Sequence, residues 1–424
     1  MRIGSAAEIA YDPDHVSHGS DAMPEHAPRF DTAYDSKLIH GQARQMKRAK
    51  NRFDLAELAG AFGDLGTLIP FAVAYISILK MDPAGLLLGF GATLIAAGLY
   101  YRTPFPVQPM KAIGAAAVTQ TAGIVALTPA MVTGAGVATA AIWLFLGATG
   151  LAKRISAWVP RPALLGVVMG LGFSFMLEGL RMMSGHWAVS AGLLALTLAL
   201  LARSRFPAMV LLLLAGATVA LIEQPSLAGE LALVRPVLHL PEFVWPALDW
   251  RDIWMGALLL ALPQLPLTFG NALIAITEEN NRLFPDRPVS ERKVALSTGL
   301  LNLWSSALGG IPMCHGAGGM AGHVRFGART GGASIMLGTL LLFGGLFFAA
   351  SIGTLFRLFP PPVLGVILFL AGAELAMGSR DPGPEKVDRF VVLATAAFAV
   401  LNVGIAVIFG VVAHHASKRG WLRV

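Results

Sequence analysis

From residue 55 to residue 415 this chain is a succession of apolar runs, each about 18 to 25 residues long and separated from the next by a short charged connection. A run of that length crosses the roughly 30 Å hydrocarbon core of a bilayer as a helix, and in lipid only a helix or a closed barrel satisfies its own backbone. The composition agrees: 55% of the 424 residues are hydrophobic, 13% are charged and the mean hydropathy is +0.65. That leaves too little polar surface for a soluble protein of this size. The lipid bilayer is therefore the chain's first partner, and the fold class is an all-α polytopic membrane protein.

About fourteen candidate spans can be counted. Seven fall within residues 51–224 and seven within 252–416, on either side of a loop at 225–251 that carries Glu230, Glu242, Asp249 and several prolines. Threading the spans from a cytoplasmic N-terminus leaves only Lys80, Arg181, Arg235, Arg251 and Arg357 outside, as the positive-inside rule requires. Both termini are then cytoplasmic, in a cell (inner) membrane. An odd number of spans per half makes the second half enter the membrane in the opposite sense, which is the inverted repeat of many secondary carriers. Residues 1–50 hold Asp, Glu, His and Pro but no apolar signal core, and read as a disordered cytoplasmic tail; residues 417–424 form a second, short one.

Two runs are interrupted at matching places, the expected third and tenth spans. Pro106-Val107-Gln108-Pro109-Met110-Lys111 breaks the first and Ile311-Pro312-Met313-Cys314-His315-Gly316 the second, with Lys111 and His315 lying 204 positions apart. A proline at a broken helix start frees backbone donors, and two such N-termini facing each other would point two positive dipole ends at one place. That is a site for an anion. Lys111 adds a full charge, because an ammonium within a span is costly and is a functional-site hypothesis by default. Either break could also be structural, since Gly and Pro are common in membrane helices.

A second pair of segments repeats the offset: Glu57 to Thr67 in the first span, containing Asp64, and Pro263 to Asn271 in the eighth. Gln264, Thr268 and Asn271 recur at helical spacing and could offer amide and hydroxyl donors to an oxyanion, or hydrogen bonds that merely hold helices together. The substrate-binding candidates are thus Thr67, Gln108, Lys111, Gln264, Thr268, Asn271, His315 and Gly316. Asp64, Glu57 and Glu278 are the candidates for proton coupling, Asp64 the best placed. His315 reads equally as a donor, a titrating group or a satisfied core histidine.

Other classes fit poorly. The net charge of +7 comes from dispersed basic residues, so no nucleic-acid partner is expected. One cysteine, Cys314, forms no internal disulfide framework, and His15, His18, His26 and His40 lack metal-ligand spacing, so no metal or cofactor is expected. No Walker motif appears, and the spans lack the paired aspartates of a membrane phosphotransferase or the filter of a channel. A gradient-driven transporter, not an enzyme, is the reading.

The stretches AELAGAFGDLGTLIP (56–70), PVQPMKAIG (106–114), PQLPLTFGNALIAI (263–276) and IPMCHGAGGMAGHVRFGART (311–330) resemble the molybdate transporter family, which is related to the SulP-type sulfate carriers. The resemblance implies uptake of a tetrahedral oxyanion, molybdate first and sulfate next, in the fold shared by sulfate carriers and uracil permeases: a core carrying the broken spans, moving against a gate. It also implies a homodimer as the form common among relatives. The basic residue that sulfate carriers often place at the start of the tenth span is glycine here, which leaves the charge to Lys111.

Overall fold

The computed structural model describes residues 50–119, 121, 122, 125–202, 208–377 and 385–421. The tail expected at 1–50 lies outside them except for its last residue. The chain opens with α1 (Leu55–Ala61), capped by Asp54, whose carboxylate accepts from the backbone of Ala56 and Glu57. These contacts, first the Glu57 N–H and then the Arg52 guanidinium, hold the Asp54 carboxyl below the usual carboxylate range. A 3₁₀ turn at Phe62–Asp64 leads into α2 (Leu65–Val73), which ends in a π turn at Ala74–Ile78. Then follow α3 (Pro83–Tyr101), β1 (Gln108–Pro109), α4 (Lys111–Thr119), the small β2 (Thr121–Ala122) and β3 (Val125–Ala126), α5 (Pro129–Ala148), α6 (Leu151–Ser156), α7 (Arg161–Met183), α8 (Trp187–Ala202), α9 (Ala208–Glu223) and α10 (Ser226–Ala232).

The second half repeats this order. It comprises α11 (Trp250–Gly256), α12 (Leu262–Phe269), α13 (Ile276–Leu283), α14 (Glu291–Ala307), β4 (Met313–Cys314), α15 (Ala317–Arg325), α16 (Gly332–Phe348), α17 (Ile352–Phe356), α18 (Pro361–Met377), α19 (Lys386–Leu401) and α20 (Val403–Lys418). Two π segments, Ala257–Ala261 and Gly270–Ala275, flank α12.

The contacts cross between the halves in a repeat-swapped pattern. Helix α3 packs on α16 and its counterpart α14 on α5, while α7 packs on its own counterpart α18. Small residues permit this. A Cβ at Gly91 would lie 2.7 Å from the Gly338 carbonyl oxygen, and a Cβ at Gly172 would lie 2.6 Å from that of Gly372, so the backbones touch. This is an inverted-repeat architecture in which neither half buries its helices alone.

Five helices among the described residues are long and apolar enough to cross a membrane, or seven if each of two bent pairs counts as one span. The expected fourteen are not reached by length alone. The broken third and tenth spans are the nine-residue half-helices α4 and α15, residues Arg161–Leu201 form a 41-residue run, about twice the length a bilayer needs, and helices α14, α18, α19 and α20 have only 16 or 17 residues each. Large apolar side chains such as Leu99, Phe145, Leu214, Leu393 and Ile408 lie exposed along the helices, as a lipid-facing surface requires. The connection expected at 225–251 is not loose. Val237 and His239 donate to the carbonyls of Phe347 and Leu346, and Val244 donates to that of Ala307, so it is strapped over the ends of α16 and α14.

Candidate anion site between two broken helices

Proline prevents a helix through either break, and the freed backbone is satisfied across the molecule. Strands β1 and β4 pair antiparallel, Gln108 opposite Cys314 and Pro109 opposite Met313, and Met110 N–H donates to the Pro312 carbonyl at 3.0 Å. Asn302 on α14 clamps β4 from the side: its amide accepts from Met313 N at 3.0 Å and donates to Met313 O at 2.7 Å. The first turns of α4 and α15 are thereby brought together.

At the first break, Gln108 Nε2 donates to Asp64 Oδ1 at 2.5 Å and to Thr67 Oγ1 at 2.9 Å, and the Thr67 hydroxyl donates to Asp64. Gln108 Oε1 is buried with no donor and presses against Gly316, where any side chain would overlap it. Gly316 is thus required for close approach rather than for flexibility. Asp64 sits at the first turn of α15, where a Cβ at Gly319 would come within 2.7 Å of Asp64 Oδ2.

The eighth span acts otherwise than as a row of donors. Gln264 Oε1 accepts from Ala112 N at 2.7 Å and Asn271 Oδ1 from Ala317 N at 3.2 Å, so one side-chain amide caps each half-helix. Gln264 Nε2 donates to Thr268 Oγ1 at 2.9 Å. The helix N-termini, expected to be open to a ligand, are capped.

Lys111 is different. Its Nζ is buried without a hydrogen-bond partner, and among the described residues it forms no ion pair. It lies 3.4 Å from the centre of the Phe175 ring on α7. Beside it opens a cavity of about 770 Å³, lined by Thr67, Phe71, Lys111, Phe175 and Leu267 and reaching Glu178, Arg181 and Asn402 at its mouth. Away from the cavity lining the Gly63 and Gly322 backbones touch, and Arg325 on α15 reaches Glu374 on α18 at 3.6 Å.

The other candidates lie elsewhere. His315 is buried with its back to the cavity. Pro106 O can only accept, so His315 Nδ1 carries the hydrogen at 2.8 Å and Nε2 accepts from Ser297 Oγ at 2.7 Å. Its ring packs edge-on against Phe105, which stacks on Tyr101. With both nitrogens used, His315 has nothing to offer a ligand here. Glu57 accepts from Arg329 N at 3.0 Å at the start of the first span, away from the cavity. Glu278 is half-buried, and its neighbour Glu279 is the carboxylate that the helix turns inward. Two residues that bear on the site, Phe175 and Asn302, carry no local sign in the sequence, since an apolar residue in an apolar span and an amide on a helix are ordinary there.

Offset halves, paired breaks and a charged cavity at their junction define a multi-pass membrane transporter for an anion. The structure is similar to that of the murine SLC26A9 anion transporter in the inward-facing state, with a TM-score of 0.57 at 13% identity over 97% of this chain and 78% of that one. The transmembrane domain of the cyanobacterial bicarbonate transporter BicA matches with a TM-score of 0.48 at 17% identity, over 85% of this chain and 98% of that one. The chain belongs to the family described as molybdate transporters of the MFS superfamily, whose model matches residues 56–175 and 256–375, one segment in each half. Molybdate transporter 2 of Arabidopsis thaliana is 33% identical over 419 residues, 87% of this chain and 88% of the relative. Molybdate transporter 1 of Chlamydomonas reinhardtii is 29% identical over 474 residues, 84% and 90% of the two chains. The family is one of transporters, and this protein is not an enzyme.

Proposed function

We propose that the protein is a secondary transporter for molybdate and that it binds the tetrahedral dianion against Lys111, between the first turns of α4 and α15. The unpartnered, buried Lys111 ammonium beside a 770 Å³ cavity carries this reading. A charge away from water is expensive; the Asp64 carboxylate acts on Lys111 through space but makes no ion pair with it, and a dianion in contact with the ammonium offsets the rest of that cost. Substrate oxygens can also compete with the Gln264 and Asn271 carbonyls for Ala112 N–H and Ala317 N–H, so the capping amides hold the helix ends until the ligand arrives.

Asp64 supplies a route to coupling. A dianion entering beside the Asp64 carboxylate meets like charge, and a proton arriving with it relieves the repulsion. On this reading uptake is linked to protons. With a cytoplasmic N-terminus the cavity mouth, at the Arg181 end of α7, faces outward, and the Arg325–Glu374 contact closes the cytoplasmic side.

Purified protein reconstituted in vesicles tests the reading. Saturable molybdate uptake that tungstate blocks and excess sulfate scarcely affects is the expected result. Equal competition by sulfate makes the protein a general oxyanion carrier, and no binding of any of the three overturns the proposal.

A further inference from the structure

Phe175 occupies an unusual position for a core aromatic residue. Its ring faces the Lys111 ammonium at 3.4 Å, and its edge lies against α15, where a Cβ at Gly318 would come within 2.6 Å of Phe175 Cζ. The ring therefore fills space between the first turns of the two half-helices. It belongs to neither of them: Phe175 is on α7, whose backbone is seated on α18 beside Gly372. It is 5% exposed and lines the cavity.

We infer that Phe175 is a placeholder for the anion, its ring face holding the Lys111 ammonium while the site is empty and yielding that face when the substrate binds. The inference rests on the reading of Lys111 as the anion contact. The physics is a competition for one cation. The negative face of an aromatic ring attracts an ammonium, most strongly where both are shielded from water, but a dianion attracts it more. Substrate binding must give up the ring contact, so Phe175 lowers the apparent affinity of the site. The ring rides on α7 while Lys111 and Gly318 ride on the broken helices. Releasing Lys111 therefore removes the ring's hold on α4 while its edge stays against Gly318 of α15, so occupancy of the site changes how α7 is tied to the first half-helix.

The test uses full-length protein in lipid nanodiscs and molybdate as the probe. Phe175→Leu keeps an apolar side chain without a ring face, and 3,4,5-trifluorophenylalanine at position 175 keeps the ring and its shape while depleting the negative face. Losing a cation–ring contact of ordinary strength should tighten the dissociation constant about two- to thirty-fold in Phe175→Leu. The fluorinated protein should shift in the same direction. A purely structural ring would leave the fluorinated protein identical to the parent. Parental affinity in both variants, or weaker binding in the fluorinated protein, overturns the inference. The two readings fail separately. If the parent binds molybdate, Lys111→Ala does not, and the ring variants match the parent, only the placeholder is wrong. If Lys111→Ala binds as the parent does, the anion contact itself is wrong and the placeholder falls with it.

Discussion

The two broken helices share a backbone design but not a chemistry. Each has a proline in or next to a two-residue strand, pairs with the other across β1 and β4, and starts a nine-residue half-helix capped by an amide from the eighth span. Only the first carries charge into the cavity. Helix α4 begins at Lys111 and α15 at Ala317 after Gly316, so the structural counterpart of Lys111 is the Gly316–Ala317 junction and not His315. His315 stands a step earlier, turned to the opposite face and saturated by Pro106 and Ser297. The repeat thus supplies a symmetric scaffold, and a local difference in side chains makes one side the anion contact and the other a close-packed backbone wall.

The largest effect should come from Lys111→Ala. Removing the buried charge that a bound dianion faces should weaken molybdate binding by about 100-fold or more, measured with radiolabelled molybdate on normally inserted protein. Parental binding in that variant would abolish the distinction between the breaks. Gly316→Ala is next, because its methyl group would overlap Gln108 Oε1 and push β4 from β1. Thermal unfolding in nanodiscs should show a loss of about 1–3 kcal/mol, with transport lowered.

Asp64→Asn removes the carboxylate beside the first break while keeping its shape. Uptake should persist with a flattened pH dependence, and an unchanged pH profile would dismiss Asp64 from coupling. Gln264→Ala uncaps α4 and should cost about 0.5–2 kcal/mol of stability, with an affinity change of less than about tenfold. His315→Ala should have the smallest effect on binding. It strands the Ser297 hydroxyl and the Pro106 carbonyl, so stability should fall by about 1–3 kcal/mol while molybdate affinity and the pH profile stay put. A loss of affinity approaching that of Lys111→Ala would restore His315 to the site.

Much of this arrangement is legible in the sequence because it depends on local chemistry. Proline cannot continue a helix, an ammonium within an apolar run needs a reason, and Asp64, Thr67 and Gln108 all fall in the segments that the offset singles out. The structure brings these three together by hydrogen bonds, and it places Gln264 and Asn271 at the half-helix ends. Other features depend on direction, which a linear pattern does not carry. His315 and Lys111 look equivalent until the strand register turns the histidine away. Glu278 and Glu279 differ only by helical phase, and it is Glu279 that meets Arg282 inside. Phe175 is one apolar residue among many, until α7 is laid across both half-helices.

That the chain spans a membrane, that it does so as two offset halves, and that each half is broken once near polar residues can be read from the order of its residues. Hydropathy, proline and charge act within a few residues of where they stand, so these follow from the order of residues alone. Packing sets which of the paired residues share a cavity, caps the helix ends with amides from the eighth span, and lays an aromatic ring from α7 on the Lys111 ammonium. Those outcomes come from close approaches between segments far apart in the chain, of backbone at Gly172 and of the Gln108 and Phe175 side chains at Gly316 and Gly318, and a glycine shows what it lets in only once its neighbour is known.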